Sequence, residues 1–126
     1  MQQHILIVDD EESICDLLSE YFQKRGYLVT TADNAEKAKK LADEIPINLV
    51  ILDVLLPDGD GMDLLETIKG AHPSLPIIIM TGIGFDEELL REAQEKGASG
   101  YVSKTLPVDQ LLMEVHRTLK HHNKKS

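Results

Sequence analysis

Short apolar runs alternate along the chain with segments of helical spacing. Residues 5–8, 48–52 and 77–80 are rich in Ile, Leu and Val, and each run stops at a polar residue. That is the pattern of strands buried on both faces. Residues 27–30 and 100–102 form weaker strand candidates. Between the runs, Ile14, Leu17, Leu18, Tyr21 and Phe22 fall on one helical stripe, and Val108, Leu111, Leu112, Val115 and Leu119 on another. Gly26, Gly70 and Gly97 stand where helices should end, and Pro107 fits the first turn of the last helix. Asp33 with Glu36 has the spacing of a capping box, and Asp86 can cap the fourth helix. Strand and helix alternate about five times, which predicts a parallel sheet covered by helices on both faces. Periodicity leaves the strand order open, but both common doubly wound orders place the ligand site at the carboxyl ends of the strands.

Composition narrows the class. The 126 residues suffice for one domain, and a hydrophobic fraction of 42% with only 4% aromatic residues predicts an aliphatic core. A net charge of -9 argues against direct nucleic-acid binding, which needs a Lys/Arg stripe against the phosphates. Residues 120–125 form the one basic cluster and read as a solvated tail or the start of a linker. The single Cys15 allows no intrachain disulfide. The amino terminus has neither the basic start nor the apolar length of a signal peptide or membrane span. These features predict a cytoplasmic chain with no membrane partner.

The residues that close the apolar runs carry the chemistry. Asp9 and Asp10 follow the first run, Asp53 the third, Thr81 the fourth and Lys104 the fifth. Any one of them is explained by a helix cap, a turn or a solvated side chain. As a set they meet at one edge of one sheet. If the first and third strands are neighbours, three carboxylates converge there and demand a cation or raised pKa values. Hard oxygen donors without Cys or His suit Mg²⁺ rather than zinc, with Mn²⁺ as a substitute. Mg²⁺ completes its shell with phosphate oxygens, so phosphoryl transfer fits such a site better than a calcium cage. Other motifs fail on spacing. The Gly82-Ile83-Gly84 run lacks a third glycine at Glu87, and a calcium loop around Asp58 and Asp60 would need ligands at Leu56 and Thr67. His121-His122 is read as part of the solvated tail.

At these residues the sequence resembles the receiver domains of response regulators in two-component signalling. The I-L-I-V-D-D-E opening, the D-V-L-L-P-D-G-D-G run over residues 53–61, I-M-T-G over 79–82 and Y-V-S-K ending at Lys104 occur in the family's order and spacing. The resemblance implies a flavodoxin-like receiver fold with strand order 2-1-3-4-5. It assigns a receiver domain to residues 1–119 and a basic tail or linker start to residues 120–126. It makes Asp53 the phosphoacceptor, supplied by a sensor histidine kinase or phosphotransfer protein. Asp9, Asp10, Asp53 and the carbonyl of Leu55 would hold Mg²⁺. Lys104 would pair with Asp53 and then with the phosphoryl oxygens, and Thr81 would donate its hydroxyl to them. Tyr101 would move inward with Thr81 as a switch pair, and Gly82 would leave room for the incoming phosphohistidine. The response would reshape the face of the fourth helix, fifth strand and fifth helix, with Ile83, Leu89, Leu90 and Val108 as contacts for an output domain, a partner protein or a second copy. Such a chain is a signalling protein that catalyses its own phosphotransfer and dephosphorylation.

One departure stands out. The family usually has proline, often in a cis bond, after its lysine, whereas Thr105 follows Lys104 here. A cis bond before a non-proline residue costs about 2.5–4 kcal/mol. Two rivals compete with the switch. An adaptor of the same fold that works without phosphorylation would not need the complete acidic set with Lys104. A flavin protein would need a Ser/Thr/Gly-rich phosphate loop where Asp9, Asp10, Glu11 and Glu12 stand.

Overall fold

A computed structural model describes residues 2–82, 86–105 and 107–125, with side chains through residue 121. Five parallel strands form the sheet: β1 (His4–Val8), β2 (Leu28–Ala32), β3 (Leu49–Asp53), β4 (Ile77–Thr81) and β5 (Gly100–Ser103). The helices between them are α1 (Glu12–Gln23), α2 (Ala35–Glu44), α3 (Gly61–Ala71) and α4 (Glu87–Glu95), and α5 (Val108–Lys125) follows the last strand. The sheet order is β2-β1-β3-β4-β5, the doubly wound order expected. A two-residue antiparallel bridge, Leu55–Leu56 against Gly59–Asp60, lies between β3 and α3.

The three central strands are apolar because both of their faces are covered. Ile5 to Val8 and Leu49 to Leu52 have no exposed surface. Leu6, Val8, Val50, Leu52, Ile77 and Ile79 pack toward α2, α3 and α4, while Ile5, Ile7, Leu49, Ile51, Ile78 and Met80 pack toward α1 and α5. Each fully buried aliphatic side chain contributes about 1.5–3 kcal/mol, more than an exposed ion pair. The central strands and the helix faces pressed on them therefore supply most of the fold's stability. Register is pinned at the amino edge, where the His4 N–H donates to Asn48 Oδ1 at 2.7 Å and the Asn48 N–H donates to the His4 carbonyl at 2.8 Å.

Several local expectations need correction. The α1 stripe centres on Cys15, Leu18 and Phe22, with Ile14 and Tyr21 flanking; Leu17 is 52% exposed. At 100° per residue, Leu17 lies roughly 120° from the centre of that stripe. Gly26 and Gly97 do end helices, at φ +93° and +99°. Gly70 instead lies within α3, which closes with His72 N–H donating to Ile68 at 2.7 Å. Asp33 does not cap α2. Asn34 does, accepting the Lys37 N–H at 2.8 Å, while Asp33 accepts the Asn34 amide. The helix starts one residue later than the Asp33–Glu36 spacing implied. Asp86 caps α4 as expected, accepting the N–H groups of Glu88 and Leu89. The Lys104–Thr105 bond is trans, since no described peptide bond is cis. The α5 helix runs through the basic segment to Lys125.

Candidate functional site

The site stands where the strands run out, and the backbone ladder continues one step past β1, β3 and β5. The Asp9 N–H donates to Ala32 at 3.0 Å, the Val54 N–H to Met80 at 3.2 Å, and the Lys104 N–H to Thr81 at 2.8 Å. Asp9, Asp53, Thr81 and Lys104 are thus set at one edge by the register of β1, β3, β4 and β5. Because β1 and β3 are neighbours, their acids converge. Asp9, Asp10 and Asp53 each place a carboxylate oxygen within 4.8 Å of the others.

Asp9 and Asp53 are buried and Asp10 is exposed. Lys104 bridges the buried pair, with Nζ 2.8 Å from Asp9 Oδ2 and 3.0 Å from Asp53 Oδ2. It also donates to Glu11 Oε1 at 2.7 Å. Burial works to lower the Lys104 pKa, but the carboxylates of Asp9, Glu11 and Asp53 outweigh it and hold the ammonium above its ordinary value. Burial pushes the Asp53 carboxyl up, and the Asp9 charge adds to the rise while Lys104 opposes it. At this edge one ammonium faces four carboxylates, those of Asp9, Asp10, Glu11 and Asp53.

The loop after Asp53 folds back on the strand. The Gly61 N–H donates to the Val54 carbonyl at 2.7 Å, and a Cβ at Gly61 would lie 2.3 Å from the Asp53 carbonyl oxygen. Only glycine fits that approach. Asp60 then caps α3 through the Met62 N–H at 2.8 Å. The Leu55 N–H reaches Asp53 Oδ1 at 3.4 Å, while its side chain is 63% exposed. Across the site, a Cβ at Gly82 would touch the Lys104 Cδ at 3.6 Å. Cys15 donates its thiol to the Asp9 carbonyl at 3.3 Å; burial, reinforced by Asp9, pushes that thiol up to about 11.

Thr81 is buried at the end of β4. Tyr101 is half-buried, opposite Ile79, and packs on the α2–α3–α4 side. Because Thr81 lies two residues beyond Ile79, Thr81 and Tyr101 share one face of the sheet. Of the proposed contacts on the α4–β5–α5 side, Leu89, Leu90 and Val108 are half-buried, and Ile83 lies outside the described residues. Two participants escape a reading of the sequence. Glu11 reaches Lys104 across 93 residues of chain, and Asp58 reaches the start of α2; neither relationship has a signature in local spacing.

A doubly wound sheet with an acidic, lysine-bridged carboxyl edge defines a class of α/β proteins suited to handling phosphoryl groups. The chain belongs to the response regulator receiver domain family, whose model matches residues 5–116. Members of that family are phosphoacceptor domains of two-component signalling. The chain is 34% identical over 119 residues to the sporulation initiation phosphotransferase F of Bacillus subtilis, covering 94% of this chain and 95% of that protein. It is also 34% identical to protein PetR of Rhodobacter capsulatus and 37% identical to a putative NtrX-like response regulator of Rickettsia felis. The matches cover 93% and 92% of this chain but only 48% and 25% of those proteins. Among solved structures, a CheY-like receiver domain protein from Methanospirillum hungatei superposes with a TM-score of 0.95 at 28% identity, over 100% of both chains. Among the described residues no helix is long and apolar enough to cross a membrane.

Proposed function

We propose that this chain is a cytoplasmic phosphorylation switch whose acceptor is Asp53. The carrying observation is the buried Asp53–Lys104 pair at 3.0 Å, set among carboxylates that one ammonium does not balance. The donor is a phosphohistidine on a sensor kinase or phosphotransfer protein. An Asp53 carboxylate oxygen attacks phosphorus, the new O–P bond forms as the P–N bond breaks, and the P–N electron pair stays on the histidine ring, which leaves as neutral imidazole because its other nitrogen already carries a proton.

The site residues fit Mg²⁺. Asp9 Oδ2 is buried and has no aligned hydrogen bond among the described residues, its contact with Lys104 being an ion pair by distance alone. Asp9, Asp10, Asp53 and the carbonyl of Leu55 would hold the ion. Mg²⁺, or Mn²⁺ in its place, supplies positive charge against the incoming phosphoryl oxygens when bound. Lys104 neutralises charge on both partners, since a carboxylate is a poor nucleophile toward an anionic phosphoryl group. Thr81 then donates its hydroxyl to the phosphoryl group, and Gly82 leaves the approach beside Lys104 open. Water attack on the same phosphorus breaks its bond to Asp53 and releases inorganic phosphate, and the chain catalyses this dephosphorylation as well as its own loading.

The output follows from Thr81 and Tyr101, which share a face of neighbouring strands. Movement of Thr81 toward the phosphoryl group lets Tyr101 turn inward and reshapes the α4–β5–α5 face. That face meets an output domain, a partner protein or a second copy of the chain. The receiver unit ends near residue 119, and the basic segment after it, helical to Lys125, is a tail or the start of a linker.

Incubation with acetyl phosphate and Mg²⁺, followed by mass spectrometry, tests the acceptor. One phosphoryl group is expected on Asp53 and none in Asp53→Asn. Labelling of the Asn variant at the wild-type level would overturn the assignment.

A further inference from the structure

We infer that Glu11 is a positioning residue that restrains Lys104 in the resting site and slows reaction with anionic phosphodonors. This rests on the reading of Asp53 as acceptor. Glu11 holds the N-cap position of α1, yet its side chain caps nothing in that helix. Its carboxylate goes to Lys104 Nζ at 2.7 Å, the shortest of that ammonium's three contacts. Its own N–H is held by Asp9 Oδ1 at 2.9 Å, so the backbone that aims the side chain is fixed by the site itself.

Glu11 differs from the other two acids on Lys104. Asp9 and Asp53 are buried, whereas the Glu11 side chain is 56% exposed. It also lies outside the trio of acids whose oxygens converge. Asp53 must stay if it is to react, and Asp9 is locked in place, so Glu11 is the partner able to leave. When an anionic phosphoryl group arrives, Lys104 exchanges Glu11 for phosphoryl oxygens, and the displaced carboxylate stands beside the new negative charge. Two costs thus fall on the incoming donor, the loss of an ion pair and a repulsion. Both belong to a charge facing water and are modest and salt-sensitive.

The test compares wild type with Glu11→Gln, which keeps the side chain's length and an acceptor oxygen but removes the charge. With acetyl phosphate and Mg²⁺ at low ionic strength, the second-order rate of Asp53 labelling should rise about two- to fivefold, the size expected of an exposed ion pair. The gain should shrink at high salt and should be smaller with phosphoramidate, which carries less charge. In the metal-free protein, lysine-selective NMR should show faster hydrogen exchange at the Lys104 ammonium of the variant. A variant labelled no faster than wild type, or an unchanged ammonium signal, overturns the inference. Absence of any Asp53 labelling in the wild type instead overturns the acceptor reading, while the ammonium measurement still decides whether Glu11 holds Lys104.

Discussion

The carboxylate of Asp58 accepts the backbone N–H of Ala35 at 2.7 Å and that of Glu36 at 3.1 Å, so a residue of the loop after β3 closes the start of α2. Together with Asn34 it satisfies three of the N–H groups that a helix start leaves unpaired. The loop that carries Leu55 is thereby fastened to the start of a helix that packs on β1, β2 and α3.

Asp58→Ala should therefore lower the denaturation midpoint. The sign of its pH dependence follows from the hydrogen bond to Ala35, which holds the Asp58 carboxyl below its ordinary value. A depressed carboxyl contributes stability above its unfolded pKa of about 3.9 and loses it as pH falls through the lower folded value. Urea midpoints of wild type and variant should differ at pH 7 and converge in strong acid. A gap that persists unchanged into acid strong enough to protonate this carboxyl in both states would assign the effect to packing.

Removal of Lys104 leaves Asp9 and Asp53 buried beside each other without a cation. Lys104→Met should destabilise the metal-free fold by about 3 kcal/mol, the low end for an uncompensated buried charge, because Asp10 and Glu11 leave the edge open to water. Urea unfolding measures this, and Mg²⁺ should restore part of the loss. Unchanged stability would mean that the acids protonate at no cost.

A cation held by the folded site and not by the unfolded chain stabilises the fold by mass action, so Mg²⁺ should raise the melting temperature of wild type. Asp10→Ala should respond much less. Without Mg²⁺ the same variant should melt higher than wild type, since one of three converging carboxylates is gone. A lower melting temperature would make Asp10 a structural residue.

Beryllofluoride with Mg²⁺ should mimic the phosphoryl group and draw the Thr81 hydroxyl toward it. A charge-assisted hydrogen bond contributes about 1.5–3 kcal/mol, enough to tip a two-state element of similar gap. Amide shifts are expected beyond the site, over residues 87–101. Shifts restricted to the loops around Asp10 and Asp53 would describe a site that binds without transmitting.

The alternation of apolar runs with helical stripes, and the polar residue closing each run, were legible in the chain because strand and helix periods are local properties. Asp9, Asp10, Asp53, Thr81 and Lys104 could be singled out for the same reason: each stands at or just past the carboxyl end of its own strand. Their convergence was conditional on β1 lying beside β3, which tertiary structure decides. Structure alone set the direction of Leu17, because a stripe's centre depends on which neighbours press on it, and moved the α2 cap from Asp33 to Asn34 and Asp58. The pairings of Glu11 with Lys104 and Asp58 with Ala35 join residues 93 and 23 positions apart, and they exist only because the sheet's parallel register brings loops to one edge. Local sequence determines which groups can carry charge or accept a hydrogen bond; the crossover topology determines which of them meet.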